Sequence, residues 1–119
     1  MTKTAFIGID IGTSSTKTVV IRPDGTVLGL AAREYAVGTP RPGWAEQDPE
    51  TWVQAALDTM RRALAAADIP EEQVQAIGLS GQMHGTVCLD VRGHALRPAI
   101  IWADQRSAAQ VAEVEARIG

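Results

Sequence analysis

Ile7-Gly8-Ile9-Asp10-Ile11-Gly12-Thr13-Ser14-Ser15-Thr16-Lys17 is the stretch that decides the fold. An apolar strand runs into a carboxylate, breaks at Gly-Thr-Ser-Ser, and resumes as a β-branched strand carrying one cation. This is the residue logic of a phosphate and metal cradle. Asp10 is a hard oxygen ligand suited to Mg²⁺, which keeps several waters and takes one or two carboxylates plus phosphate oxygens. Gly12 lets backbone approach a bulky anion. Thr13, Ser14 and Ser15 offer hydroxyl and amide donors to phosphate oxygens, and Lys17 adds positive charge if its side chain folds back across the turn. Phosphoryl transfer is mostly positioning and charge neutralisation, which these residue types supply. The same residues also fit a plain β-hairpin in which Asp and Gly only make the turn, and the stretch alone does not separate the two readings. It is neither a Walker loop nor a Gly-x-Gly-x-x-Gly turn.

Working outward, residues 4–10 read as a buried strand, apolar on both faces. Residues 16–21 form a second strand, Arg22-Pro23-Asp24-Gly25 a turn, and residues 27–35 a third strand, making an antiparallel meander. Residues 37–49 hold three prolines and two glycines and read as a surface connection. Trp44 within it either plugs the core or lines a cleft, with plugging favoured. Asp48-Pro49-Glu50 starts a helix by capping, fixed φ and dipole complementarity. Its apolar face is Trp52, Val53, Ala56, Leu57, Met60, Ala63, Leu64 and Ala67, and Asp68-Ile69-Pro70 ends it. Residues 74–79 form a buried strand, and strand–helix–strand order requires a crossover and parallel pairing. Residues 86–90 and 99–102 read as short strands, and Asp104 as the start of a second helix.

Composition narrows the function. The chain has 119 residues, 45% hydrophobic and 21% charged, with a formal net charge of −3. That is one globular domain or part of one, able to bury roughly two thirds of its unfolded surface. The scattered Lys and Arg leave no basic patch, so nucleic acid and anionic membrane are not expected partners. A single cysteine excludes an intrachain disulfide; it fits a reducing cytoplasm, and Cys88 reads as a small buried strand residue. No basic-then-apolar leader opens the chain, and no apolar run nears the roughly 20 residues of a membrane span.

Two further clusters carry chemistry. Gly81-Gln82-Met83-His84-Gly85 follows a strand directly, where α/β sheets hold ligands. His84 could donate to a sugar hydroxyl and Met83 pack on the carbon skeleton; alternatively Met83 tucks into the core and His84 sits on the surface. His94, beside Gly93, reads as solvent-facing. In Ile101-Trp102-Ala103-Asp104-Gln105-Arg106, Asp104 and Arg106 fit a helix cap and first turn, while Trp102 offers an amphipathic wall for a polyol.

Taken together, Gly8 to Ser14 with Lys17, Trp44-Ala45-Glu46-Gln47-Asp48-Pro49, Gly81 to Gly85, and Arg97-Pro98-Ala99-Ile100-Ile101-Trp102 with Asp104 and Arg106 resemble the N-terminal part of a carbohydrate kinase of the FGGY family. Among its members the likeness is strongest to those that phosphorylate D-xylulose. The resemblance implies an α/β, actin-like ATPase fold of the ribonuclease H type, a mixed sheet with flanking helices. It places residues 1–119 in the N-terminal part of the first, sugar-binding domain, with the second domain absent. It implies ATP and Mg²⁺ as cofactors, a small ketose as substrate, a cytoplasmic site of action and a homodimer as the assembly to test for. By residue, Asp10 stands at metal and phosphate, Gly12, Thr13, Ser14 and Lys17 at the phosphate tail, and Met83 and His84 at the sugar. Trp102, Asp104 and Arg106 support the sugar side. Glycerol-phosphorylating relatives carry an Arg-Glu pair where Met83-His84 stand. The family's catalytic aspartate and adenosine pocket lie beyond residue 119, so the expected alternatives are a segment of a sugar kinase, of this or another FGGY specificity, and a non-catalytic binding module.

Overall fold

The computed structural model describes residues 4–119 as two compact units. One comprises the residues up to Ala36 together with Glu50–Gln82; the other comprises Val37–Pro49 and Met83–Gly119.

The first unit is a four-stranded mixed sheet with one long helix. β1 (Ala5–Ile11), β2 (Ser15–Ile21) and β3 (Val27–Glu34) form the expected antiparallel meander, and β5 (Val74–Gly81) joins β1 in parallel, giving the order β3-β2-β1-β5. Alternation sorts the two faces. Ala5, Ile7 and Ile9 of β1 and Thr16, Thr18 and Val20 of β2 are buried, and they meet helix α1 (Pro49–Ala67) through Ala63, Met60 and Leu64. On the opposite face three strands align in rows: Ile21, Phe6 and Ala76; Val19, Gly8 and Gly78; Lys17, Asp10 and Ser80.

The helix has the bounds its capping residues predict, but its buried stripe differs from the one the large residues suggest. The buried positions are Ala55, Thr59 and Ala63, while Val53 and Leu57 are exposed. The reason is close approach: a Cβ at Gly29 of β3 would lie 2.2 Å from the Ala63 carbonyl oxygen. Helix backbone therefore rests almost on the sheet at Ala63, where only small side chains fit, while Ala56, Met60, Leu64 and Ala67 of the expected stripe pack half-buried around it. Arg62 leans toward β3, donating to the Ala32 carbonyl at 2.6 Å, and Val53 and Leu57 lie on the flank turned away from it. Asp68 ends the helix at φ 51, the left-handed conformation more usual for glycine, and a single 3₁₀ turn, Glu71–Gln73, leads into β5.

β5 is the second difference. Its apolar composition predicts burial, yet it is an edge strand among the described residues, with Ile77 51% and Leu79 72% exposed. Both sit opposite Ile7 and Ile9 on the helix-covered face, but α1 does not reach over them.

The second unit is loop-rich. β4 (Glu46–Gln47) pairs antiparallel with β6 (Ala99–Ile100) over a core of Ala45, Gln47, Ala99 and Ile101. Residues 86–90 make only isolated bridges, Thr86 to Ile100 and Leu89 to Ala95, rather than the expected strand. Cys88 is exposed, against the expectation of burial, because no second layer covers this segment. Residues 90–94 form a turn, with the Asp90 carboxylate accepting from the amides of Arg92 and His94. Helix α2 is Ala108–Ile118, starting four residues later than expected because Asp104 is engaged elsewhere, and none of its residues is buried. No helix of the described residues is long and apolar enough to cross a membrane.

Candidate functional site

The turn expected to act as a cradle belongs to the first unit. β1 ends at Ile11 and the chain reverses through residues 12–15, where the Gly12 amide donates to the Ser15 carbonyl at 2.9 Å. The turn is tight enough that a Cβ at Gly12 would stand 2.9 Å from that oxygen. Asp10 and Lys17 sit directly opposite one another in the β1–β2 ladder, and both are exposed. Ser80, Asp10's neighbour across the parallel pair, donates its hydroxyl to the carboxylate at 3.4 Å. Gly8 and Gly78 are paired beside this row, and the lack of two side chains opens a shallow recess of about 370 Å³ floored by them and rimmed by Asp10, Lys17 and Ser80.

Gln82 anchors the end of β5 to the same turn. Its amide donates to the Ile11 carbonyl at 2.9 Å, and Thr13 donates its hydroxyl to the Gln82 side-chain oxygen at 3.3 Å. The structure thus brings Asp10, Gly12, Thr13, Ser14 and Lys17 together, and adds Ser80 and Gln82, which the sequence reading did not assign. The signal for both lay in the crossover: parallel pairing of β1 with the strand that ends at Gly81 puts the two carboxyl ends side by side. Among the described residues no group of three or more His, Cys, Asp or Glu could cage a metal. One exposed carboxylate beside a hydroxyl fits a divalent ion held mainly by water and phosphate oxygens, the habit of Mg²⁺.

The proposed sugar-side residues belong to the second unit. Met83, 69% exposed, does not tuck into a core. His84, also exposed, holds φ 63, an uncommon conformation for a residue with a side chain. His94 is solvent-facing, 3.6 Å from Asp90. Trp102 is 55% exposed in a turn closed by the Asp104 amide donating to the Ile101 carbonyl at 3.0 Å.

Asp104 and Arg106 form the centre of a charge network. The Asp104 carboxylate accepts the Ala45 amide at 2.7 Å and Arg106 Nη2 at 2.7 Å, with Arg106 Nε at 2.9 and 3.0 Å from its two oxygens. Arg106 Nη2 also donates to Glu46 at 2.9 Å, and Arg97 reaches the same Glu46 oxygen. The Arg106 hydrogen bonds hold the Asp104 carboxyl well below the usual carboxylate range, and Asp104 in turn raises Arg106. Trp44 is half-buried rather than a core plug: the guanidinium of Arg106 lies 3.6 Å and that of Arg41 4.8 Å from its ring centroid. Stacking with two cations explains an indole in a proline-rich loop. It borders a cavity of about 530 Å³ with Pro40, Pro42 and Ala103.

Comparison with known proteins places the chain in a family. Residues 5–119 match the FGGY family of carbohydrate kinases, N-terminal domain. The chain is 42% identical over 113 residues to xylulose kinase from Escherichia coli (strain K12), covering 95% of this chain and 23% of that protein. Among solved structures, a xyloylose kinase from Brucella ovis superposes with a TM-score of 0.89 at 40% identity, over 95% of this chain and 24% of that one. Gluconate kinase from Lactobacillus acidophilus gives 0.88 at 27% identity, over 97% and 23%. The chain therefore spans about a quarter of the length of these relatives. The meander, the parallel β5 and the covering helix are the actin-like ATPase fold those sugar kinases share. By its profile over residues 5–119 and by its fold, the chain belongs to the FGGY family of carbohydrate kinases, as that family's N-terminal domain.

Proposed function

We propose that this chain is the N-terminal segment of an ATP-dependent sugar kinase that converts D-xylulose to D-xylulose 5-phosphate in the cytoplasm. The observation that carries the reading is the row Lys17, Asp10 and Ser80 beside the Gly12–Ser15 turn, a carboxylate and a cation flanking a donor-rich reversal. In this reading the segment is the first part of the sugar-binding domain, and the remaining chemistry belongs to sequence of the kind that follows it in the longer relatives. Mg²⁺, when bound, neutralises charge on the phosphoryl oxygens. Asp10 holds the ion through its carboxylate or a water, while residues 12–15 and Lys17 receive the phosphate tail. Met83 and His84 face the ketose, and Trp102 supplies an apolar wall. The xylulose kinase likeness supports this substrate over gluconate or glycerol.

The test is a chimera in which residues 5–119 replace the matching part of the Escherichia coli xylulose kinase. Xylulose-dependent ADP formation should survive, with xylulose preferred over ribulose, gluconate and glycerol. His84→Ala in the chimera should lower kcat/KM for xylulose by roughly tenfold or more, since a polar site deprived of its partner discriminates strongly, and leave slow ATP hydrolysis unchanged. A folded chimera that prefers glycerol, or a mutant with unaltered xylulose kinetics, overturns the assignment.

A further inference from the structure

Tyr35, the residue after β3, has no role in the site as described above, yet it touches the phosphate turn twice and the strand that leaves it once. Its amide donates to the Ser14 carbonyl at 3.0 Å. Its hydroxyl donates to the Gly12 carbonyl at 2.6 Å and lies 3.1 Å from the Thr16 hydroxyl. A carbonyl only accepts, so the single phenolic proton belongs to Gly12, and Thr16 must be the donor in the second bond. The result is a directed relay, Thr16 hydroxyl to Tyr35 hydroxyl to Gly12 carbonyl. Thr16 is fully buried on β2 and cannot readily exchange its partner for water, so each bond polarises the next.

The Gly12 carbonyl is informative because it shares a peptide plane with the Thr13 amide. No peptide bond among the described residues is cis, and in a trans peptide C=O and N–H point in opposite directions. Drawing the Gly12 oxygen toward Tyr35 therefore turns the Thr13 N–H away from it. Glycine is the residue least able to hold such a plane by its own sterics. The restraint has to come from elsewhere, and Tyr35 provides it.

We infer that Tyr35 is a positioning residue of the phosphate turn, its hydroxyl fixing the Gly12–Thr13 peptide plane and so the orientation in which residues 12–15 meet a polyphosphate. This rests on the reading of the turn as a phosphate cradle. Tyr35→Phe removes only the hydroxyl and keeps the ring. The experiment titrates the 119-residue chain with Mg²⁺-tripolyphosphate and follows the backbone amide resonances of residues 12–17. The wild-type chain should show saturable shifts there. Tyr35→Phe should weaken binding by roughly three- to tenfold, the range spanned by one hydrogen bond, and speed hydrogen exchange at the Gly12 amide without ligand. Thr59→Val is the control for stability alone, since it deletes a hydroxyl bonded to Thr18 at 2.7 Å within the helix–sheet contact. It should lower the melting temperature yet keep wild-type affinity. Wild-type affinity in Tyr35→Phe, or equal weakening in Thr59→Val, overturns the positioning role while leaving the cradle intact. Absence of saturable shifts in the wild-type chain overturns the cradle reading and the positioning role with it.

Discussion

At the scale of single residues, two glycines on opposite outer strands of the sheet, β3 and β5, have opposite meanings. A Cβ at Gly29 would meet the Ala63 carbonyl at 2.2 Å and the Ala67 nitrogen at 2.8 Å, both helix backbone. Gly29→Ala should therefore push α1 off the sheet and cost about 3 kcal/mol, near the upper end of ordinary overpacking. Gly78 has nothing within 4 Å of its would-be Cβ, so Gly78→Ala should be neutral or raise stability by a few tenths of a kcal/mol. Paired denaturant melts check both, and equal effects would contradict the close helix–sheet approach. Asp104 gives a pH prediction. Its carboxyl is held below the ordinary value of 3.8, chiefly by Arg106. A depressed acid contributes stability that is complete above the unfolded value and is lost as pH falls through the folded one. The second unit should hold its stability from neutrality down to about pH 4 and lose it below. Asp104→Asn should lower stability at pH 7 and flatten that acid limb, read by Trp fluorescence melts from pH 2 to 7; an unchanged limb would assign it to other carboxylates. Neither Gly29 nor the Asp104–Arg106–Glu46 network was legible in the sequence. A glycine's neighbour and a carboxylate's partner some sixty positions away are facts of packing.

At the scale of elements, α1 and β5 show how far patterning carries. The helix bounds follow from local chemistry, Pro49 at the first position and Asp68 at the end, and they were readable. The buried face was readable in part: Ala56, Met60, Ala63, Leu64 and Ala67 of the expected stripe pack on the core, but hydrophobicity ranks Val53 and Leu57 above Ala55 and Thr59, whereas the gap over Gly29 selects by size. Thr59 is buried with its hydroxyl shared among Thr18, Ala55 and Ala56. Thr18→Val alone should cost roughly 1 kcal/mol and the pair Thr18→Val with Thr59→Val little more, since removing both partners leaves no orphaned polar group. A double-mutant cycle of urea melts measures it, and strict additivity would deny the pair any coupling. β5 carries no charge and no proline, the usual guards of an exposed edge. Leu79→Lys, at a position 72% exposed, should raise the concentration at which the chain stays monodisperse by light scattering. No gain would mean that the edge does not drive association.

At the scale of the whole molecule, one unit holds the Gly12–Ser15 turn proposed to meet phosphate and the other the Trp44 indole stacked with Arg41 and Arg106, and the chain spans 23% of the Escherichia coli relative. General-base catalysis contributes roughly 10²- to 10⁴-fold and positioning more. The carboxylates assigned to the site are Asp10, proposed at metal and phosphate, and Asp104, which is held by Arg106 and the Ala45 amide. The 119-residue chain should therefore release no xylulose-dependent ADP above background, and turnover abolished by Asp10→Asn would contradict this. The sequence by itself determined the strand-turn-strand at residues 5–21, the meander, the limits of α1 and the family, because each depends on residues close in the chain or on motifs kept in order. Only the tertiary structure decided that β5 is an exposed edge, that small residues bury α1, and that Asp104 and Arg106 brace Glu46 and Ala45. It alone showed that Tyr35 reaches back to Gly12. These depend on which surfaces meet, and contact between distant residues is set by backbone separation and available volume, quantities that no local pattern encodes.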